Sequence, residues 1–373
     1  MENDCYALFV YQTTMNLKEK LKKTFLDLIA IDSAYPHEAN VIDYVKKRFT
    51  RLGITWKEDT FGNMFVSFAG KGEPILLSTH FDIPEPTPEA TYKIKGNIIK
   101  AAGKNILGAD PKSGLAILIE LAEKLVKSKA PHTPVEFLIT RGEEPGLLGA
   151  RAADYRLIKS KIGLVLDEDG PITQVVTQAP AFGRLDIEFI GKVVHPREPE
   201  KGVNALRVAC EALTSLPWGY SRKGVTWNVG MFEAGTARNS VPGIASLKGE
   251  LRSYDTGLVK SEMKRIERVC SDAAKKYGAK LKFEGELEFE GYNLKRAHSF
   301  LFERLEKTFT AMGLKPNYYA TFGGSDANIF NKHGIVSVPI GSGYFNAHEY
   351  TEYVNLADMV EIFEFLERFS TLE

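Results

Sequence analysis

The stretch Ile75-Leu76-Leu77-Ser78-Thr79-His80-Phe81-Asp82 is an apolar run that ends directly in a histidine and an aspartate. The run is too short for a helix, and turn residues flank it, so it predicts a buried strand, Pro74–Thr79. Residues two apart project to the same side of an extended chain, so Asp82 can sit behind His80 and accept its second ring N–H. A metal-binding imidazole needs such a partner.

Further apolar runs alternate with helical patterns on both sides of this stretch. The predicted strands are Val135–Thr140, Ile162–Leu166 and Ile335–Ile340. The predicted helices are Leu17–Ile31, His37–Leu52, Ser113–Ser128 and Asn355–Phe369. Strands that alternate with helices indicate an α/β fold, with a mixed sheet flanked by helices.

Between Ala181 and Gly291 the pattern changes to alternating strands and two amphipathic helices. The predicted elements are, in order, the strand Leu185–Ile190, the helix Asn204–Leu216, the strands Thr226–Glu233 and Ile244–Tyr254, the helix Val259–Tyr277 and the strand Ala279–Glu290. This β-α-β-β-α-β order is that of a ferredoxin-like α+β sandwich. We therefore expect residues 181–292 to form a domain inserted into an α/β domain of residues 1–180 and 293–373.

Charge and composition exclude several classes of function. The 373 residues carry 48 basic and 48 acidic side chains, so no bulk charge favours nucleic acid or an anionic membrane as a partner. No apolar run is long enough to span a bilayer. The apolar stretch Tyr6–Tyr11 follows acidic rather than basic residues, so we do not expect Met1–Thr14 to be a signal peptide. The three cysteines form no C-x-x-C pair, which favours the reducing cytoplasm.

Acidic residues and a second histidine follow the other predicted strands. They are Asp110 in Leu107–Gly114, the pair Glu143 and Glu144 in Thr140–Gly146, Asp167 in Leu164–Asp169, and His348 with Glu352 four residues on. Taken singly, each has an ordinary structural explanation, such as a helix cap or a solvated acidic loop. Strand ends meet at one edge of an α/β sheet, where ligands bind. Together, two histidines and three carboxylates suit a pair of zinc-like ions bridged by hydroxide.

These motifs, in this order, resemble a family of zinc-dependent exopeptidases and deacylases. The family includes peptidase T, aminoacylase, carboxypeptidase G and acetylornithine deacetylase, and the peptidase T-like branch is the most similar. The matching segments are His80-Phe81-Asp82, Leu107–Gly114, Thr140–Ala150, Gly323–Asn328 and the loop of His348 and Glu352. The similarity covers nearly the whole chain after Met15. It implies a catalytic domain with an inserted lid and dimerisation domain.

The resemblance also implies which residues hold two divalent ions, with zinc expected first and cobalt or manganese as alternatives. His80 and Asp167 would bind one ion, Glu144 and His348 would bind the other, and Asp110 would bridge them. The family usually has Asp or Asn after the bridging aspartate, joined by a cis peptide bond. Pro111 stands there in this chain, and proline adopts the cis form readily.

Catalytic roles follow from the same resemblance. Glu143 would be the general base that acts on a metal-bridged water, and Asp82 would orient His80. His195 would steady the oxyanion from a partner's lid, although its neighbours Val194, Pro196 and Arg197 depart from the family pattern.

The substrate would be bound by residues of the lid and of the glycine-rich motif, namely Asn239, Arg252, Gly324 and Ser325. Arginine suits a terminal carboxylate because its planar guanidinium pairs with both oxygens.

The expected activity is a metal-dependent exopeptidase that cleaves the N-terminal amide bond of di- and tripeptides, as a homodimer formed through the lid. Two alternatives stay open at this point. An N-acyl amino acid deacylase or a carboxypeptidase would use the same metal ligands, and a noncatalytic peptide-binding protein could keep the fold. The general base Glu143 argues against the last, because a binding module has no need of a base beside the metal ions.

Overall fold

The computed structural model describes residues 16–88, 90–128, 130–216, 218–220, 224–294 and 300–371. The segment Met1–Thr14, which we expect not to be a signal peptide, lies outside the described residues. The described residues group into two compact units. The first unit contains those up to Thr177, those of Leu294–Tyr319 and those from Ser325 onwards. The second contains those of Gln178–Asn293 and Ala320–Gly324.

Nine α-helices lie within the described residues: α1 (Leu17–Ile29), α2 (Ala39–Arg51), α3 (Ala109–Lys127), α4 (Leu148–Ala152), α5 (Ala205–Thr214), α6 (Thr256–Tyr277), α7 (Phe300–Met312), α8 (Asp326–Lys332) and α9 (Leu356–Thr371). The strands of the same residues are β1 (Trp56–Glu58), β2 (Met64–Phe68), β3 (Ile75–His80), β4 (Tyr92–Lys95), β5 (Ile98–Ala101), β6 (Val135–Thr140), β7 (Ile162–Glu168), β8 (Gln174–Ala179), β9 (Ala181–Ile190), β10 (Gly219–Tyr220), β11 (Thr226–Ala234), β12 (Ile244–Ser253), β13 (Lys280–Phe289), β14 (Tyr292–Asn293), β15 (Asn317–Ala320), β16 (Val336–Gly341), β17 (Tyr344–Phe345) and β18 (Tyr353–Asn355).

The first unit is built on a mixed sheet with the strand order β1-β2-β6-β3-β7-β16-β8. The four central strands, β6, β3, β7 and β16, run parallel to one another. Strands β1, β2 and β8 join antiparallel at the sides. Because parallel neighbours point the same way, the carboxyl ends of four buried strands meet along one edge.

The helix α3 packs directly on this sheet and lies in the core of the first unit. It contacts β3 and β7 as well as the helices α1 and α9. Gly114 makes this close approach possible, because a Cβ at that position would lie 2.8 Å from the carbonyl oxygen of Leu166. Asp110 has extended backbone angles (φ −81°, ψ 113°), so the regular helix starts with Pro111 at its first position.

The second unit has an antiparallel sheet in the order β10-β11-β12-β9-β13 with the helices α5 and α6 packed on it. The side chains of β9 alternate between buried and more exposed positions, and those of Leu185, Ile187 and Phe189 are buried against the helices. Apart from the two-residue strand β10, the order of elements and of strands is the predicted ferredoxin-like one.

Every predicted helix and strand is present, with ends that differ by a few residues. The helices α4, α7 and α8 and the strand β2 were not predicted. The first helix ends at Ile29 rather than at Ile31, and β7 continues to Glu168, so Asp167 belongs to the strand itself. A small antiparallel sheet, β17-β18-β5-β4, was not predicted. Its strand β4 is exposed along its whole length and therefore lacks an apolar run. No helix within the described residues is long and apolar enough to cross a membrane.

Candidate active site

The predicted metal ligands come together at the carboxyl edge of the central sheet. His80 is the last residue of β3, Asp167 lies near the end of β7, and Glu144 follows β6. Asp110 stands at the start of α3, and His348 lies in the loop between β17 and β18. All five residues belong to the first unit.

The five side chains form two pairs of contacts around Asp110. His80 Nε2 lies 3.3 Å from Asp110 Oδ1 and 3.5 Å from Asp167 Oδ1. His348 Nε2 lies 3.3 Å from Asp110 Oδ2 and 3.4 Å from Glu144 Oε1. Ligands at about 2.0–2.2 Å from a tetrahedral zinc ion are themselves roughly 3.3–3.6 Å apart. The spacing therefore fits two ions, one on each side of the Asp110 carboxylate.

The donor atoms at this site are buried without hydrogen-bond partners. His80 Nε2, Asp110 Oδ1 and Glu144 Oε1 are each hidden from solvent and make no hydrogen bond. A buried polar atom without a partner is costly, so native proteins rarely leave one unexplained. Cations would satisfy all three atoms at once. The residues present thus fit a pair of divalent ions.

The pKa values of the site residues also indicate that the site favours bound positive charge. The carboxylates of Asp110 and Glu144, 3.3 and 3.4 Å from His348 Nε2, raise the pKa of His348 to about 11. Burial lowers the pKa of His80, but the carboxylates of Asp110 and Asp167 outweigh it and raise that pKa well above its ordinary value. Burial raises the pKa of Asp167 to about 8. In the metal-free protein, protons therefore occupy the places that metal ions would take.

Asp82 organises the site from behind His80. Its Oδ1 lies 3.3 Å from His80 Nδ1, which leaves Nε2 free to face a metal ion. The same oxygen accepts the backbone N–H of Glu143 at 3.0 Å, and Oδ2 accepts that of Glu144 at 3.1 Å. One fully buried carboxylate thus fixes one ligand and the backbone of the acidic pair.

Replacing Asp82 with asparagine should weaken metal binding about 10- to 100-fold, the range seen when a ligand's supporting group is lost. The amide can still accept from the His80 ring, but its NH₂ group then faces the backbone N–H of Glu144. Competition with a metal-binding dye measures the dissociation constants. Unchanged affinity in a folded Asp82→Asn protein would show that Asp82 has no orienting role.

Glu143 lies beside the ligands without belonging to either pair. One of its carboxylate oxygens and the ligand atoms of His80 and Glu144 lie within 4.8 Å of one another. Burial, followed by the nearby charge of Asp167, raises the pKa of Glu143 well above its ordinary value. A carboxyl group that binds a proton this readily suits a general base.

Sequence reasoning did not assign roles to two buried carboxylates in the first unit. Glu352 accepts three backbone N–H groups from the loop of Asp110. Asp326 accepts the hydroxyl of Thr140, the last residue of β6, at 2.5 Å. Their partners are 186 to 245 residues away in the chain, so no local pattern reveals these bonds. Two signals in the sequence could have pointed to these residues. Glu352 lies four residues after His348, and Asp326 lies in the glycine-rich motif.

Most of the residues predicted to bind substrate lie in the second unit. His195 and Asn239 are exposed, and His195 Nδ1 accepts the backbone N–H of Arg197 at 3.1 Å. Arg252 lies in β12, where it donates to the Phe322 carbonyl at 2.8 Å and to Glu250 at 3.1 Å.

The two residues of the glycine-rich motif have local structural roles. Gly324 lies against the ring of Phe289, where a Cβ would approach within 2.3 Å. Ser325, in the first unit, is the N-cap of α8 and forms a capping box with Asn328.

Comparison with known proteins agrees with the fold. The family model "Peptidase dimerisation domain", of family M20, matches residues 181–278, and the model "Peptidase family M28" matches residues 63–178. The uncharacterized protein YqjE of Bacillus subtilis is 30% identical over 358 residues, which cover 93% of this chain and 96% of that protein. Peptidase T of Brevibacillus brevis is 25% identical over 78% of this chain and 72% of its own length.

Solved structures include two peptidases that cover nearly the whole chain. The aminopeptidase PepT of Bacillus cereus has a TM-score of 0.81 and 30% identity, over 95% of this chain and 98% of its own. A tripeptidase of Staphylococcus aureus has a TM-score of 0.87 and 28% identity, over 96% and 98%. With this similarity along nearly the full length, the chain belongs to the peptidase T-like branch of the M20 peptidase family.

Proposed function

We propose that this protein is a metal-dependent aminopeptidase that removes the N-terminal residue from di- and tripeptides. The observation that carries the proposal is the set of buried, unpartnered ligand atoms of His80, Asp110 and Glu144 at spacings that suit two metal ions. Relatives named peptidase T, aminopeptidase and tripeptidase support short peptides with a free amino end as the substrate class.

Two divalent ions would be held by the chain, with zinc first and cobalt or manganese as alternatives. His80 and Asp167 would hold one ion, His348 and Glu144 the other, and each oxygen of Asp110 would face one of them. Mixed nitrogen and oxygen ligands suit these metals. When bound, such a pair of ions polarises the scissile carbonyl and lowers the pKa of a water molecule.

The protein's own groups then orient this chemistry and move the proton. Asp82 holds His80 in the tautomer that presents Nε2 to the ion. Glu143, held through its backbone N–H by Asp82, accepts the proton of the attacking water on a carboxylate oxygen. It then delivers this proton to the leaving amine nitrogen, so that the carboxylate is restored after each turnover.

Metal affinity should rise with pH. In the metal-free protein, the pKa of His348 is about 11 and that of Asp167 about 8, so both carry protons at neutral pH. A protonated histidine has no lone pair to donate, and binding must release these protons. Calorimetric titration with zinc in buffers of different ionisation enthalpy counts the released protons. An affinity that is constant between about pH 6 and about pH 8 would contradict the assignment.

The second unit would supply the dimer interface and part of the substrate site. The match to the peptidase dimerisation domain supports a homodimer formed through this unit. His195 would then reach the active site of the partner and steady the oxyanion. We assign substrate contacts to Asn239, Arg252, Gly324 and Ser325. Because Arg252 already pairs with Glu250, a substrate carboxylate would compete with that acid. We propose that the protein is located in the cytoplasm.

The experiment that tests the proposal compares three substrates with chelator-stripped protein to which zinc, cobalt or manganese is restored. The substrates are a free-amine tripeptide, its N-acetylated form and a simple N-acetyl amino acid. The first two differ only at the amino end, so their comparison isolates recognition of that end. Chromatography of the products shows which residue is released.

The proposal predicts metal-dependent release of the first residue from the free tripeptide and little reaction with the acylated compounds. A preference for the acylated compounds would move the protein to the deacylases and leave the metal site as assigned. Release of the last residue would make it a carboxypeptidase. Tight binding of the tripeptide without hydrolysis under any metal would make it a peptide-binding protein.

A further inference from the structure

A buried carboxylate outside the ligand set connects the loops of Asp110 and His348. Glu352 is 1% exposed and lies at the end of the loop that carries His348. Its Oε2 accepts the backbone N–H groups of Leu107 at 2.6 Å and Gly108 at 2.8 Å. Its Oε1 accepts the N–H of Asp110 at 3.0 Å. Both oxygens are therefore committed to one short segment of backbone.

The backbone of that segment is shaped to receive an anion. Gly108 has a φ of 71°, in the left-handed region, and this conformation turns successive N–H groups toward a common point. Lys112 is fully buried nearby, donates to the Ile31 carbonyl at 2.6 Å and interacts electrostatically with Glu352. An internal carboxylate thus occupies an anion-binding concavity of the protein's own backbone.

These bonds fix two metal ligands relative to each other. Asp110 and His348 are far apart in sequence and belong to different elements, yet Asp110 Oδ2 lies 3.3 Å from His348 Nε2. His348 is itself half-exposed and has a φ of 64°, so its loop gains little support from burial. The Glu352 side chain holds the Asp110 backbone, and its main-chain carbonyl accepts the N–H of Ala101 at 2.8 Å.

We propose that Glu352 is a positioning residue that sets the spacing of Asp110 and His348 and thereby allows two ions to share the Asp110 carboxylate. This inference rests on the proposed two-ion site. Glu352 does not touch either ion, since its two oxygens point to backbone N–H groups. Its loss should affect the His348 side most, because two of the three ligands on that side, Asp110 and His348, depend on it. On the other side, His80 keeps its support from Asp82.

The test is Glu352→Gln, with Glu349→Gln as the matched control. Glutamine has nearly the same shape but turns an NH₂ group toward at least one backbone N–H. Glu349 is an exposed carboxylate in the same loop, next to His348. Each protein is stripped, titrated with cobalt and followed by calorimetry for the two dissociation constants. Electron paramagnetic resonance reports whether the two cobalt ions are magnetically coupled through a shared bridge.

Wild-type and Glu349→Gln proteins should bind two coupled ions. Glu352→Gln should keep the first ion and bind the second about 10- to 100-fold more weakly, with reduced coupling. If that variant fails to fold, Glu352→Asp keeps the charge, shortens the reach and should give a smaller change in the same direction.

A purely structural role would lower the melting temperature and leave the second constant and the coupling unchanged, which would overturn the inference alone. A wild-type protein that binds fewer than two ions would overturn the proposed function and this role with it.

Discussion

Replacing Glu143 with glutamine should lower kcat on a free tripeptide by about 10²- to 10⁴-fold, the range contributed by a positioned general base. Glutamine preserves the size of the side chain and the backbone bond to Asp82 but cannot accept a proton. Both ions should stay bound, because Glu143 is not among the proposed ligands. Steady-state kinetics and elemental analysis of metal content measure the two effects on one sample.

The controls separate catalysis from stability. Glu143→Ala should lose activity to at least the same extent and also keep both ions. Glu303→Gln changes an exposed glutamate of the first unit and should behave as wild type. Near wild-type turnover in Glu143→Gln would remove this residue from the proton transfer and require another base.

Replacing Asp110 with alanine should abolish detectable hydrolysis, a larger loss than that for Glu143→Gln. Each Asp110 oxygen faces a different histidine, so one substitution removes a ligand from both ions. It should also lower the pKa of His348 in the metal-free protein, because the contact of the His348 ring N–H with the Asp110 carboxylate is the main cause of its increase. Elemental analysis and NMR titration of the histidine ring measure the two effects.

The matched control is Asp43→Ala, which removes an exposed aspartate of α2. It should bind two ions and turn over as wild type. If Asp110→Ala protein still bound two ions with activity close to that of wild type, the bridging role would be wrong.

Several buried elements were predictable because burial leaves short apolar runs in the sequence. The strands β3 and β6 are buried at every position, and each contains a run of three apolar residues, Ile75–Leu77 and Phe137–Ile139. The strand β4, Tyr-Lys-Ile-Lys, is exposed at all four positions and resembles a polar loop. Short antiparallel strands such as β1, with three residues, carry too little pattern to be recognised.

The part of the site that lies at the ends of such strands was predictable. His80 and Asp167 stand at strand ends, so the topology of an α/β sheet predicts that they meet. The supporting bonds were not predictable. The bonds of Asp82 to Glu143 and Glu144, or of Glu352 to Leu107, depend on loops that only the folded chain brings into contact.

The most direct test of the two-ion aminopeptidase is the initial rate of tripeptide hydrolysis as zinc is added to chelator-stripped protein. We expect release of the first residue to rise with added metal and to reach its maximum at two ions per chain. Full activity in stripped, metal-free protein, or a maximum reached at one ion with no further binding, would contradict it.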